Sequence, residues 1–257
     1  MTIDRIATLL EIPNSLPQPQ VIFLDAVGTL FGVRGSVGLI YSDMASKYGV
    51  SCEPKIIDRY FYAAFKTSSP CVFPDVSIDR IPQLEYQWWK TLNQQTFTAA
   101  GVWEQFSDFD AFFDELYQYF ATSAAWEIYP DVILALTQWQ QAGIPLGVLS
   151  NFDSRLYAVL EVLDLQQYFS TVTISTEVGA AKPQPQIFTT ALNKYQSNPA
   201  EAWHIGDSHD DDYLGASAVG MTAIWIDRLI CNQSHLTPST IHHSQLIPRF
   251  DLNISID

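Results

Sequence analysis

Basic residues are scarce in this chain of 257 residues: 13 Lys and Arg stand against 28 Asp and Glu, a formal charge of −15. A surface of that balance repels nucleic acid and anionic membranes, so neither is expected as a partner. Acidity of this degree is compatible with a cation site built from carboxylates, and it also serves solubility alone. Cysteine is scarce too. Cys52, Cys71 and Cys231 are odd in number and widely spaced, which excludes a zinc spacing or a disulfide framework and fits a reducing compartment. No apolar run reaches membrane-spanning length. Residues Met1 to Leu10 lack the basic start and long apolar stretch of a secretory signal. A cytoplasmic, soluble protein is expected, as a monomer or a homodimer.

Hydrophobic residues are not scarce. They make up 47% of the chain against 16% charged, enough for a sizeable core. The length suits one α/β domain plus a second lobe. Apolar runs at Val21–Leu24, Leu146–Leu149, Val172–Ile174, Trp203–Ile205 and Thr222–Ile226 read as buried strands. Helical patterns over Asp131–Ala142, Ser154–Leu163, Pro185–Tyr195 and Asp210–Val219 separate the later ones. Strands alternating with helices imply a parallel sheet covered on both faces. In such sheets functional groups collect beyond the carboxyl ends of the strands.

Two regions depart from that alternation. Residues 2–11 read as a short amphipathic helix with Ile3, Ile6, Leu9 and Leu10 on one side, ended by Pro13, Pro17 and Pro19. Residues 1–19 are therefore expected to be an extension packed on the surface. Residues 35–124 show no strand pattern, only helical stretches near 38–48, 54–66, 82–98 and 108–122. Their aromatics, among them Tyr60, Phe61, Phe65, Trp88, Trp89, Phe112 and Tyr117, recur at helical spacing and suit the core of a helical lobe, with some free to line a pocket. That lobe interrupts the pattern just after the first strand, so it is an insertion placed to cap the strand ends.

Four segments put polar groups at strand ends. Asp25 follows Val21–Leu24 in Asp25-Ala-Val-Gly-Thr29. A carboxylate there can attack phosphorus or carbon, hold a metal, or cap the following turn. Ser150-Asn151 follows Leu149 and offers donors to an anion or to a helix start. Lys182, before Pro183, can neutralise a phosphate, or be an ordinary solvated lysine. Gly206-Asp-Ser-His-Asp-Asp-Asp212 sets four carboxylates within six residues. Their mutual repulsion is relieved by a hard cation, and the N-terminus of a helix also favours them.

Taken in order, these four segments resemble the haloacid dehalogenase-like superfamily over residues 20–34 and 126–228. The insertion point resembles its subclass with a helical cap between the first two motifs. The resemblance implies a doubly wound, Rossmann-like α/β core over 20–34 and 125–257 and a mobile cap over 35–124. It implies that Asp25 is a nucleophile forming an aspartyl-phosphate. Thr29 and Ser150 would bind phosphoryl oxygens, with the backbone N–H of Asn151, and Lys182 would steady nucleophile and phosphate. Mg²⁺ would be held by Asp25, the carbonyl of Val27 and Asp207, with Asp212, or next Asp211, as the second acid of the fourth motif.

Val27 departs from the phosphatase form of this superfamily, which carries a second Asp there to protonate the leaving group. Loss of a general acid–base costs about 10²–10⁴ in rate. The resemblance offers other forms at this position: Tyr in 2-haloacid dehalogenases, Ala in phosphonatases and Thr in ion-pumping ATPases. The run Asp25 to Phe31, and Arg80 to Trp89 in the cap, look close to the dehalogenase form. That match would make Arg80 a clamp for a substrate carboxylate, against the alternative of a surface arginine. The acidic fourth motif points the other way, because dehalogenases need no metal. The expected function is thus a Mg²⁺-dependent phosphatase of a small phosphorylated metabolite. The alternatives are a metal-independent 2-haloacid dehalogenase and a low-activity binding or regulatory protein.

Overall fold

A computed structural model of the chain describes residues 2–13 and 16–228, with side chains described from Ile6 onward. Its strands are β1 (Thr2–Ile6), β2 (Val21–Leu24), β3 (Phe31–Val33), β4 (Trp126–Ile128), β5 (Leu146–Ser150), β6 (Thr171–Ile174), β7 (Ala202–Gly206) and β8 (Thr222–Ile226). Six of them form one parallel sheet in the order β1-β8-β7-β2-β5-β6. Strand β2 is central, and every one of its residues is buried. Its alternate side chains explain the unbroken apolar run. Ile22 and Leu24 pack on one face with Leu136, Val159 and Leu160. Val21 and Phe23 pack on the other with Ile187, Phe188 and Leu192. A strand covered on both faces has no polar side to alternate with.

The helices are α1 (Val37–Ser46), α2 (Pro54–Thr67), α3 (Ile81–Ala99), α4 (Phe109–Tyr119), α5 (Val132–Gln141), α6 (Arg155–Val162), α7 (Ser175–Val178), α8 (Pro185–Tyr195) and α9 (Gly215–Ala218). The first four form the insert. The Ser36 hydroxyl caps α1 by accepting from the Leu39 amide, and it donates to Asp58 on α2 at 2.7 Å. Pro54 opens α2 at a position where a missing N–H costs nothing. The Asp108 carboxylate caps α4. Phe61, Leu92, Phe97, Phe112 and Phe113 form a hydrophobic cluster distinct from those of the sheet. Of the aromatics spaced in the sequence, Phe61 and Phe112 are thus core, and Trp88, Trp89 and Tyr117 pack against that core half-buried.

The two chain crossings between sheet and insert are zipped together. Strands β3 and β4 pair antiparallel, Phe31 with Ile128 and Val33 with Trp126, and the Phe31 and Trp126 rings meet edge to face at 5.2 Å. Each strand is three residues long, too short to leave a periodic signal.

The N-terminal segment differs from expectation. In place of a helix over 2–11 stands β1, paired in parallel with β8, followed by a single 3₁₀ turn at Leu9–Glu11. An edge strand exposes a row of unpaired N–H and C=O groups. Pairing β1 with β8 satisfies one such row, and that outweighs the helical spacing of a few apolar residues. The segment expected over 210–219 as one helix is a π-helical turn, His209–Leu214, running into α9. Of the span 125–257 expected as core, residues 229–257, Cys231 among them, lie outside the described residues. Among the described residues no helix is long and apolar enough to cross a membrane.

Candidate active site

Asp25 is the first residue beyond β2, and its amide donates to the Ile205 carbonyl of the neighbouring β7 at 2.9 Å. Because β2 lies between β5 and β7, Asp25 emerges between Ser150 and Asp207. It is only 6% exposed. The chain must then turn sharply. Gly28 has φ +89°, and a Cβ at this position would lie 2.3 Å from a carboxylate oxygen of Asp207. Gly206 is required by a second close approach, since a Cβ there would sit 2.1 Å from Cγ of Asp212. Both glycines make room for carboxylates.

Lys182 reaches the same place from the loop before α8. Its Nζ donates to Oδ1 of Asp25 at 2.6 Å, to Oδ1 of Asp212 at 2.5 Å and to the Leu149 carbonyl at 3.2 Å. The Asn151 amide fixes the lysine backbone from both sides. Its Oδ1 accepts from the Lys182 N–H at 2.7 Å, and its Nδ2 donates to the Lys182 carbonyl at 3.0 Å. Asp212 sits on the π-helical turn. It also accepts from the Ser208 amide at 3.0 Å and lies 2.7 Å from Nε2 of the buried His204.

The electrostatics follow from burial and crowding. Burial pushes the Asp25 pKa up against the pull of Lys182. Burial, then the Asp25 and Asp212 charges, push Asp207 well above the usual carboxylate range. Asp212 is buried as well, yet Lys182 and His204 hold it below that range. His204 is lowered by burial, so its neutral ring donates from Nε2 to Asp212. Asp211 is pushed up to about 6, chiefly by burial. Carboxylate oxygens of Asp25, Asp207 and Asp212 lie within 4.8 Å of one another. Three hard oxygen donors facing the single ammonium of Lys182 leave excess negative charge, and that donor set fits a small divalent cation such as Mg²⁺.

A cavity of about 640 Å³ opens above these groups. Asp25, Val27, Ser150, Asn151, Lys182, Asp207, Asp211 and Asp212 line its floor, and helices of the insert supply its walls. Val27 lines the cavity beside Asp25, is packed in part against the core of the sheet, and has no side-chain proton to give. Two expected site residues are not brought in. Thr29 is fully buried, its hydroxyl has no partner among the described residues, and it does not line the cavity. Its carbonyl instead accepts from Arg228. Arg80 lies exposed at the start of α3 and does not line the cavity, which favours the surface-arginine alternative.

Sequence reasoning missed a second polar group at the rim. Arg155 pairs with Asp153 through Nε at 2.9 Å and Nη2 at 2.6 Å, donates to the Tyr117 carbonyl at 3.2 Å, and stacks 3.9 Å over the Tyr117 ring. Trp89 of α3 donates to Asp153 at 2.6 Å. Glu85, buried on α3, accepts from the Ser154 amide at 2.9 Å and from its hydroxyl. These contacts fasten the insert to the sheet. The motif-adjacent acid in Asn151-Phe-Asp-Ser154 was the available signal for Asp153; Glu85 carried none.

A model of the haloacid dehalogenase-like hydrolases matches residues 19–220. The chain is 33% identical over 243 residues to haloacid dehalogenase-like hydrolase domain-containing protein 3 of Bos taurus, covering 91% of this chain and 94% of that one. It is also similar to the crystal structure of a HAD phosphatase from Thermococcus onnurineus, at 25% identity and TM-score 0.56, over 81% of this chain and 86% of that one. The L-2-haloacid dehalogenase of Xanthobacter autotrophicus shares the fold at 20% identity and TM-score 0.55, over 79% and 75%. With its ordered strand-end groups and its parallel sheet, the chain belongs to the haloacid dehalogenase-like hydrolase family.

Proposed function

We propose that the protein is a Mg²⁺-dependent phosphatase of a small phosphorylated metabolite, acting through an aspartyl-phosphate on Asp25. One observation carries this reading: Asp25, Asp207 and Asp212 converge within 4.8 Å around Lys182. A carboxylate nucleophile approaching a phosphate dianion needs more positive charge than one ammonium supplies. Asp25, Asp207, Asp212 and the Val27 carbonyl would hold Mg²⁺, which when bound supplies that charge. Asp25 would attack phosphorus. Lys182 orients it through Oδ1, and Ser150 and Asn151 line the floor where phosphoryl oxygens would lie. Asp212 anchors Lys182, and His204 anchors Asp212.

The dehalogenase alternative loses its clamp with Arg80 on the surface. Arg155 does line the cavity, but its guanidinium is engaged by Asp153. The test is a panel of phosphorylated and 2-halo acid substrates, with and without Mg²⁺, reading phosphate and halide together. Phosphate release that needs Mg²⁺ and is lost in Asp25→Asn is expected. Halide release that survives a chelator, or no phosphate from any substrate, would contradict the reading and favour the dehalogenase or the binding-protein alternative respectively.

A further inference from the structure

Resting on the phosphatase reading, we infer that the group carried by the phosphate is an aromatic ring, so that the substrates are aryl phosphate monoesters. The floor and the walls of the cavity point to it independently. On the floor, Val27 faces the cavity beside Asp25 and has no proton to give, and Lys182 is engaged by Asp25 and Asp212. A leaving oxygen that departs there without protonation has to be a stable anion, as a phenolate is and an alkoxide is not.

The walls are rings. Phe61, Phe65, Trp88, Trp89 and Tyr117 line them. Phe65 stacks on Phe61 at 5.9 Å and 23°, and on Trp89 at 6.2 Å and 30°, yet it remains 47% exposed. A further ring placed on this stack covers apolar surface in a favoured geometry. The indole N–H groups and the guanidinium beside these rings are already used. Nε1 of Trp88 donates to the Ser69 carbonyl at 3.0 Å, Nε1 of Trp89 to Asp153, and Arg155 is held by Asp153 and the Tyr117 carbonyl. Sugar hydroxyls set against the Phe65 stack would find few partners on it and would lose their hydration. A cavity of about 640 Å³ accommodates a phosphate with one or two fused rings.

The chemistry balances without an added acid. A carboxylate oxygen of Asp25 bonds to phosphorus while the P–O bond to the ring breaks, and the electron pair leaves on the aryl oxygen as phenolate. Water then attacks phosphorus of the aspartyl-phosphate. The bond to Asp25 breaks with its pair returning to the carboxylate, and both protons of the water remain on the released phosphate.

The experiment compares kcat/KM on the full chain with Mg²⁺ for substituted phenyl phosphates, n-alkyl phosphates, a hexose phosphate and acetyl phosphate. Inhibition by benzylphosphonate and hexylphosphonate removes chemical reactivity from the comparison. Phenyl phosphates are expected to exceed alkyl and hexose phosphates by about a hundredfold or more and to slow steeply as the phenol becomes less acidic. Benzylphosphonate is expected to bind more tightly than hexylphosphonate. Phe65→Ala is expected to lower the aryl-to-acetyl ratio about tenfold, and Phe65→Leu, which keeps an apolar side chain without the ring, to lower it in the same direction. Alkyl or hexose phosphates within tenfold of aryl, equal phosphonate affinities, or a ratio unmoved in both variants would overturn the inference. So would a shallow dependence on the phenol, since it would mean that a cavity acid such as Asp211 protonates the leaving oxygen. Hydrolysis of acetyl phosphate with aryl phosphates untouched ends this inference and leaves the phosphatase reading standing; silence on every phosphate ends both.

Discussion

Lys182 is buried between two carboxylates, and its ammonium offsets their charge inside the protein. Burial works against that charge, but Asp212 and Asp25 raise its pKa nonetheless. Lys182→Ala would strand two buried carboxylates. It is expected to cost about 3–5 kcal/mol of stability, read as a lower denaturant midpoint, with Mg²⁺ restoring part of the loss. An unchanged midpoint would contradict the arrangement. Asp207 gives a pH dependence of known sign. Its pKa is raised, so in the metal-free protein a proton competes with the cation above the ordinary carboxylate range. Mg²⁺ affinity by calorimetry is expected to fall as pH drops from about 8 to about 5, whereas a flat profile would refute the competition. Val27 gives the opposite kind of test, a gain. Val27→Asp places a carboxyl at the cavity floor and is expected to raise turnover of alkyl phosphates by about 10²–10⁴. No gain in kcat would mean that proton transfer is not what the site lacks.

At the scale of elements, the loop after β2 and the turn after β7 are shaped by what they must avoid. Gly28 takes a left-handed conformation directly over the Asp207 carboxylate. Gly28→Ala meets both penalties at once, backbone strain and a clash. It is expected to lose about 1–3 kcal/mol of stability and to weaken Mg²⁺ binding, measured by denaturation and calorimetry. Full retention of metal affinity would show that Asp207 is free to move away. The contacts of α3 with the sheet, Glu85 to Ser154 and Trp89 to Asp153, close the cavity wall from the insert side. The same helix supplies Trp88 and Trp89 to the proposed aryl pocket, so the element that fastens the insert also shapes what enters it.

Across the whole molecule, what was legible in the sequence is what repeats or is buried on both sides. The five apolar runs became strands of the parallel sheet because residues such as Ile22 and Phe23 are both enclosed, on opposite faces. Asp25, Lys182, Asp207 and Asp212 stood out because each ends a strand or its following loop, and the fold gathers them at one edge. What escaped notice lacked such a pattern. Strand β1 carries too few apolar residues to be told from a helix turn, and β3 and β4 are three residues each. Arg80 lies just before the helical stretch that carries Trp88 and Trp89, and only the packing of α3 decides that the tryptophans line the cavity and Arg80 does not. The place of Arg155 depends on Tyr117, distant in sequence.

The central claim is that Asp25 carries the phosphoryl group, and mass spectrometry tests it most directly. With Val27 unable to activate water, the aspartyl-phosphate should break down slowly enough to trap. The protein mixed with acetyl phosphate and Mg²⁺, quenched in acid and digested, is expected to show one phosphoryl group on the peptide containing Asp25, absent without Mg²⁺ and absent in Asp25→Asn. Phosphate release with no such adduct, or an adduct that persists in Asp25→Asn, would contradict the account.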